Sequence, residues 1–252
     1  MGEPAPPWQA TSAMVANELR LLARRSENVL AAVIVPAVVL VFFALVPGTP
    51  GSAVTGRVDA LLPGTLALAV IAASFVNLGI ATAYERSYGV LKRLGSAPIH
   101  RGTVVAAKVV AVIAVTLLTS AVLIALGVLA LGWRPGPAGA GPVLVLATLA
   151  LGTAAFAGLG LALAGAVRAE GVLAIANGLF VAFVLFGGIV VPAGDLPGPL
   201  ADIARALPSS ALADSFRAAL GDGGVDAGRS LTVVGGWAVA AIVLATRTFR
   251  WD

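Results

Sequence analysis

Apolar residues fall along this chain in long unbroken blocks, not in the alternation of a strand or the one-sided stripe of a soluble helix. Six blocks stand out, at 28–47, 61–84, 103–131, 143–167, 172–191 and 230–246. Wound as α-helices, apolar runs of about 17–25 residues match the hydrocarbon thickness of a bilayer. The first block contains Pro36, which a membrane helix tolerates when neighbours satisfy the freed carbonyl. The third is long enough to tilt or to project from the bilayer. The pattern predicts an all-α membrane protein, a single domain over 1–252 with six transmembrane helices.

The polar stretches carry their own patterns. Ahead of the first block, in segment 1–27, Trp8, Val15, Leu19 and Leu22 fall on one helical face and Asn17, Arg20 and Arg24 on the other. That arrangement suits an amphipathic helix at the cytoplasmic membrane–water boundary; a flexible basic leader is the alternative. The start lacks the compact apolar core and small-residue cleavage site of a signal peptide, so no cleavage is expected. Segment 192–229, before the last block, reads as two apolar parts separated by Pro208. Ile203 and Leu207 in one part, and Leu212, Phe216 and Leu220 in the other, stand at helical spacing. Two external half-helices re-entering the outer leaflet explain this pattern, and so does an amphipathic hairpin lying on the surface.

Charge orients the chain. With the N-terminus inside, the inner segments hold eleven Lys and Arg residues and the outer ones hold five: Arg57, Arg134, Arg205, Arg217 and Arg229. Positive residues collect on the cytoplasmic side, so both termini are expected in the cytoplasm and the chain in the cytoplasmic membrane. Composition agrees with a lipid solvent. Of 252 residues, 59% are hydrophobic and 11% charged, against roughly 45–50% and 25% for a soluble domain. Mean hydropathy is +1.01.

Several chemistries drop out. With no Cys there are no disulfides, thiolate metal sites or cysteine nucleophiles. The single His100 has no second ligand beside it, so no metal site is expected. No charged residue stands near the middle of a block, which argues against proton relays and ion coupling. Asn77 and Asn177 are the notable polar residues at depth, read either as pathway contacts or as interhelical hydrogen-bonding groups. No G-x-x-x-x-G-K-[ST] phosphate loop occurs. Asp222-Gly223-Gly224-Val225-Asp226-Ala227-Gly228-Arg229 is faintly similar to the signature of CDP-alcohol phosphotransferases. It lacks the paired Asp spacing of that lipid-modifying class and reads as a Gly/Asp turn. No catalytic residue and no nucleic-acid partner are expected.

The cytoplasmic loop 85–102 is the most informative stretch. Read as one helix, Tyr84, Tyr88, Leu91 and Gly95 share a face, with Arg86 and Arg93 opposite, and Pro98 ends it. Such a helix can present a rigid face to a soluble partner; an ordinary positive-inside loop is the alternative. The order acidic–basic–x–x–Gly–x–Leu–basic–Arg–Leu–x–x–x–Pro, followed ten residues later by Lys108, resembles that of ABC-2 type permeases of ABC transporters. So do the amphipathic start, the split external segment with Leu207-Pro208 and Asp214-Ser215-Phe216-Arg217, and the ending Phe249-Arg250-Trp251.

The resemblance implies the permease subunit of an ATP-driven exporter, with the loop as an ATPase-coupling element. By position Glu85, Arg86, Gly89, Leu91, Lys92, Arg93, Leu94 and Pro98 would carry that role. Tyr88 and Val90 depart from the family, which often has an acidic or small residue at the first position and Thr at the second. The partners implied are two ABC ATPase subunits, holding ATP and Mg2+, and a second permease as homodimer or heterodimer, in contact with membrane lipid. This chain itself is expected to bind no cofactor. An uncharged apolar pathway suits lipophilic or amphipathic cargo such as a drug, secondary metabolite or lipid; polysaccharide or glycolipid export is the alternative within the family.

Overall fold

The computed structural model describes residues 7–24, 26–46, 54–95, 101–136, 141–189, 198–221 and 224–248, and among these every regular element is helical. In order they are α1 (Pro7–Arg24), α2 (Ser26–Leu45), α3 (Val54–Ile71), α4 (Leu78–Ser87), α5 (Val90–Gly95), α6 (Arg101–Leu129), α7 (Gly141–Ala166), α8 (Ala169–Phe186), α9 (Pro199–Ala206), α10 (Pro208–Leu220) and α11 (Ala227–Thr248). A π-helical stretch, Ala72–Asn77, joins α3 to α4 without a break.

Among the described residues five apolar helices are long enough to cross a membrane: Gly56–Ser87, Gly102–Leu129, Gly141–Ala166, Ala169–Phe186 and Ala227–Thr248. In α2 the described apolar stretch is the shorter Ala32–Leu45. The chain is a multi-pass membrane protein. Its second apolar block extends further than hydropathy alone marks, because helix continues outward to Val54 and accommodates Pro63.

The central helix is α7, which packs on α11, α4, α6, α10, the π stretch and α3. Its small residues explain why. Lipid tails are as apolar as Leu, so helices in a bilayer associate through close van der Waals packing, which small side chains permit. At Gly158 a Cβ would meet the Ala241 carbonyl carbon of α11 at 2.7 Å, and at Gly160 it would meet the Phe75 carbonyl oxygen at 2.7 Å. Around this contact Phe75, Phe156 and Phe183 pack edge to face, with centroids 5.6 to 6.5 Å apart.

The described segment 198–221 contains two helices broken before Pro208. Leu207 is extended (φ −77°, ψ 141°), as a residue preceding proline prefers. Every residue of α10 except Asp214 is buried, and the helix packs against α3, α7 and α11. The shorter α9 exposes Asp202, Ile203 and Arg205 and buries Ala201 and Ala204.

Trp133 is buried, and its indole donates to the Asp59 carboxylate. The chain turns at Gly132 (φ 68°) and folds the ring back against the bundle, where it lies near Gly127, Leu62 and Val58.

Candidate functional site

The candidate site lies where α1, the end of α4, α5, the start of α6 and the end of α7 come together. Lys108 stands two turns inside α6 and is 2% exposed. A cation there must be paired, since apolar surroundings do not solvate it. Its Nζ lies 2.7 Å from Glu85 Oε2 at the end of α4 and 3.1 Å from Glu18 Oε1 on α1. One ammonium thus joins three elements. Apolar contact reinforces the join, because Met14 of α1 packs on the cluster containing Leu91, Val104, Val105 and Val109.

Arg86, the next residue, turns the other way. Its Nη1 donates to the Gly165 carbonyl at 2.9 Å and its Nη2 to the Val167 carbonyl at 2.6 Å. These are orphan acceptors at the C-terminus of α7, where a cation also meets the negative end of the helix dipole.

Beyond this root the loop changes character. The helix stops at Ser87, and Gly89 takes a left-handed conformation (φ 72°) with open space around its α-carbon. Gly89 N–H donates to the Arg86 carbonyl at 2.9 Å, a C-terminal cap that glycine adopts without steric cost. The chain restarts as α5 at Val90. The single helical face expected for Tyr84, Tyr88, Leu91 and Gly95 is therefore broken. Leu91 is 1% exposed while Tyr88 is 75% exposed and stacks on Tyr84, ring centroids 6.0 Å apart. Val90, Lys92 and Arg93 are exposed. The side chain of Leu94, all of Pro98 and His100, and the ending Phe249-Arg250-Trp251 lie outside the described residues.

Asn77 and Asn177 occupy similar depths. One is ten residues before the end of α4 and the other eight after the start of α8, about 15 and 12 Å at 1.5 Å per residue. Both are exposed on the apolar surface. The Asn177 amide donates to the Leu173 carbonyl of its own helix at 2.7 Å. The Asn77 side chain has no hydrogen-bond partner among the described residues.

At the opposite end Arg217 of α10 is 6% exposed. Its Nη1 lies 2.6 Å from Asp214 Oδ1, and its Nη2 donates to the Gly188 and Ile189 carbonyls at 2.7 and 3.3 Å. The guanidinium fastens α10 to the segment that follows α8. Ser209 and Ser210, buried at the start of α10, face Gly187 and Gly188 across the same contact.

Three of these roles are not apparent from residue order: Glu18 as a partner of Lys108, Arg86 as a helix cap, and Arg217 as a fastener. The first had a signal, because a lysine two turns inside an apolar block requires buried carboxylate partners. The others depend on which helix ends come near.

Several apolar helices packed through small residues, with charged groups near their ends among the described residues, define a polytopic membrane protein. The family model for ABC-2 type transporters matches residues 9–220, and the chain belongs to that family. It is accordingly the membrane component of an ABC transporter. No curated protein matches the chain.

Proposed function

We propose that this chain is the permease subunit of an ATP-driven exporter in the cytoplasmic membrane, moving lipophilic or amphipathic cargo such as a drug, secondary metabolite or lipid. In this reading α2 is the first of six spans, both termini are cytoplasmic, and α9 and α10 are external half-helices re-entering the outer leaflet. Two permeases, identical or paired with a homologue, enclose the pathway. Two separate ABC ATPase subunits hold ATP and Mg2+ and engage the loop from Glu85 to Pro98. Glu85 and Arg86 serve that coupling by fixing the root of the loop, Gly89 by turning it, and Leu91, Lys92, Arg93, Leu94 and Pro98 by shaping the element that follows.

The observation that carries this reading is the loop itself in a chain of the ABC-2 family: tied to α1 and α6 by Lys108 and to α7 by Arg86, yet exposed at its tip. A push on such a tip is passed to the spans through the root contacts of Glu85 and Arg86. The cargo class is supported by the spans, whose charged residues stand near their ends among the described residues. Asn77 and Asn177 supply isolated polar groups on an otherwise apolar surface, suited to a pathway between two permeases.

The test is reconstitution of the permease with its ATPase in vesicles. ATP-dependent movement of a lipophilic dye, with ATP hydrolysis stimulated by drugs or lipids, is the expected result. Stimulation by polysaccharide precursors alone would overturn the cargo assignment. Turnover of a lipid substrate by the purified chain without any ATPase would overturn the permease reading itself.

A further inference from the structure

We propose that the π-helical stretch Ala72–Asn77 is a movable surplus residue in the helix from Val54 to Ser87, and that its displacement turns Asn77 from the apolar surface to the buried hydroxyl of Thr82. The ends of the helix keep their places.

Register shows the surplus. Helix runs without a break from Val54 to Ser87, and within it residues 72–77 leave the α-helical bonding pattern. There Leu78 N–H reaches back to the Ala73 carbonyl, five residues before it. A π turn takes up one residue more than an α turn, so six such residues cover about the angle of five α-helical ones. Proline does not impose the change, since Pro63 lies a full two turns earlier. Ser74 eases it by returning its hydroxyl to the Val70 carbonyl at 2.5 Å.

Both ends of the helix are held. Outward, Val58, Leu62, Leu66 and Val70 are fully buried, and α3 packs on α2, α6, α7 and α10. Inward, Glu85 pairs with Lys108 and Arg86 caps α7. Between them α7 meets the π stretch through Gly160, where a Cβ would stand 2.7 Å from the Phe75 carbonyl oxygen and 3.1 Å from that of Ser74. Glycine offers no ridge there to interlock with the stretch. The surplus residue is therefore free to move along the helix while the ends stay paired.

Moved one turn inward, it returns 72–77 to α-helical register and turns Asn77 by about 100°, to the direction that Leu78 now has. Asn77 is exposed and Leu78 is 8% exposed, so the amide passes from surface to interior while Val76 comes outward. A buried amide requires a partner, and one is waiting. Thr82 is 2% exposed, and its Oγ1 has no hydrogen-bond partner among the described residues. With the π turn moved inward, Asn77 and Thr82 stand five residues apart across it, the spacing that such a turn brings onto one face. On the reading that Asn77 lines a route between two permeases, the turn withdraws a polar group from that route.

Because the chain contains no Cys, Val76→Cys creates a unique thiol that leaves Asn77 and Thr82 intact. The full-length variant in nanodiscs is tagged with a trifluoroethylthio group and followed by fluorine NMR. Two resonances are expected, the minor one at least about 2% of the signal and selectively broadened by dissolved oxygen, as for a group facing lipid. Deleting Ala72 removes the surplus residue, so it should preserve folded yield and leave the single protected resonance. Deleting Ala154 from α7, which is α-helical throughout, should abolish folded yield. Thr82→Val should lower the minor population about fivefold, the worth of one hydrogen bond, and Thr82→Ser should retain it. A single resonance in the parent, or a thiol at 76 that takes up no tag, fixes Val76 inside and overturns the proposal. So does a second resonance that survives the Ala72 deletion or ignores Thr82→Val. Loss of folding on deleting Ala72 overturns it as well, because the residue was then not surplus. The permease is measured alone, so each of these failures leaves the exporter reading untouched.

Discussion

Lys108 Nζ lies 2.7 Å from Glu85 Oε2, so the buried start of α6 and the root of the exposed loop are joined by an ion pair. Glu18 Oε1 completes the cluster from α1 at 3.1 Å. The amphipathic helix, the loop and two spans are thereby held in one arrangement at the end where an ATPase would push.

Lys108→Met leaves two carboxylates together without their cation. Breaking a buried pair by removing one partner costs roughly 3–5 kcal/mol. The expected cost here is about 3 kcal/mol, since Glu18 and Glu85 retain 16% and 19% of their side-chain exposure. Thermal unfolding in detergent measures it. Adding Glu18→Gln and Glu85→Gln to the variant should recover most of the loss, and an unchanged melting temperature in Lys108→Met would contradict the assigned pairing.

Arg217→Ala removes the partner of Asp214 and leaves the Gly188 and Ile189 carbonyls without their donor. A loss of about 2–4 kcal/mol is expected. Arg217→Lys keeps the charge but not the two-armed geometry and should recover only part of it. Faster proteolysis around residues 188–189 would accompany the loss, because that segment would no longer be fastened to α10.

Two glycines on α7 should respond differently to the same methyl group. Gly158→Ala places a Cβ 2.7 Å from the Ala241 backbone, whereas Gly152→Ala meets the flexible end of Leu212. The first is expected to cost about 1–3 kcal/mol by forcing α7 and α11 apart, the second less because Leu212 can rotate. Comparable melting temperatures for the two variants would show that the α7–α11 contact is looser than drawn.

Leu91→Asp buries an unpaired charge among Val104, Val105 and Val109. Folded yield should fall sharply on size-exclusion in detergent, since an isolated buried carboxylate costs several kcal/mol or is held protonated. By contrast Val90→Asp, one residue away and exposed, should give a normal yield. The pair separates a folding defect from a coupling defect.

Asn77→Leu replaces an exposed amide lacking a partner among the described residues by an apolar side chain. Stability should stay within about 0.5 kcal/mol of the parent, while ATP-dependent dye movement falls several-fold if the amide lines the route between two permeases. Unchanged transport would exclude it from the pathway.

Much of the helical framework was legible from residue order, for a local reason. A bilayer offers no hydrogen-bonding solvent, so an apolar run must satisfy its backbone within itself as a helix. Five of the expected spans match helices that are long and apolar enough to cross, and the break before Pro208 falls between α9 and α10. The site was legible only in outline. Helical spacing put Tyr88 and Leu91 on one face, but the left-handed turn at Gly89 separates them, leaving one outside and the other in the core.

By itself the sequence determined a chain of apolar helices with a basic loop of ABC-2 type, because hydropathy, proline breaks and motif order are properties of neighbouring residues. Only the tertiary structure decided which charges pair, which helix ends are capped and which side chains face outward. Arg86 bonds carbonyls 79 and 81 residues away, and Arg217 bonds one 29 residues away. Such partners are set by how α7, α8 and α10 pack, and packing sums contacts over the whole bundle, which no local pattern records.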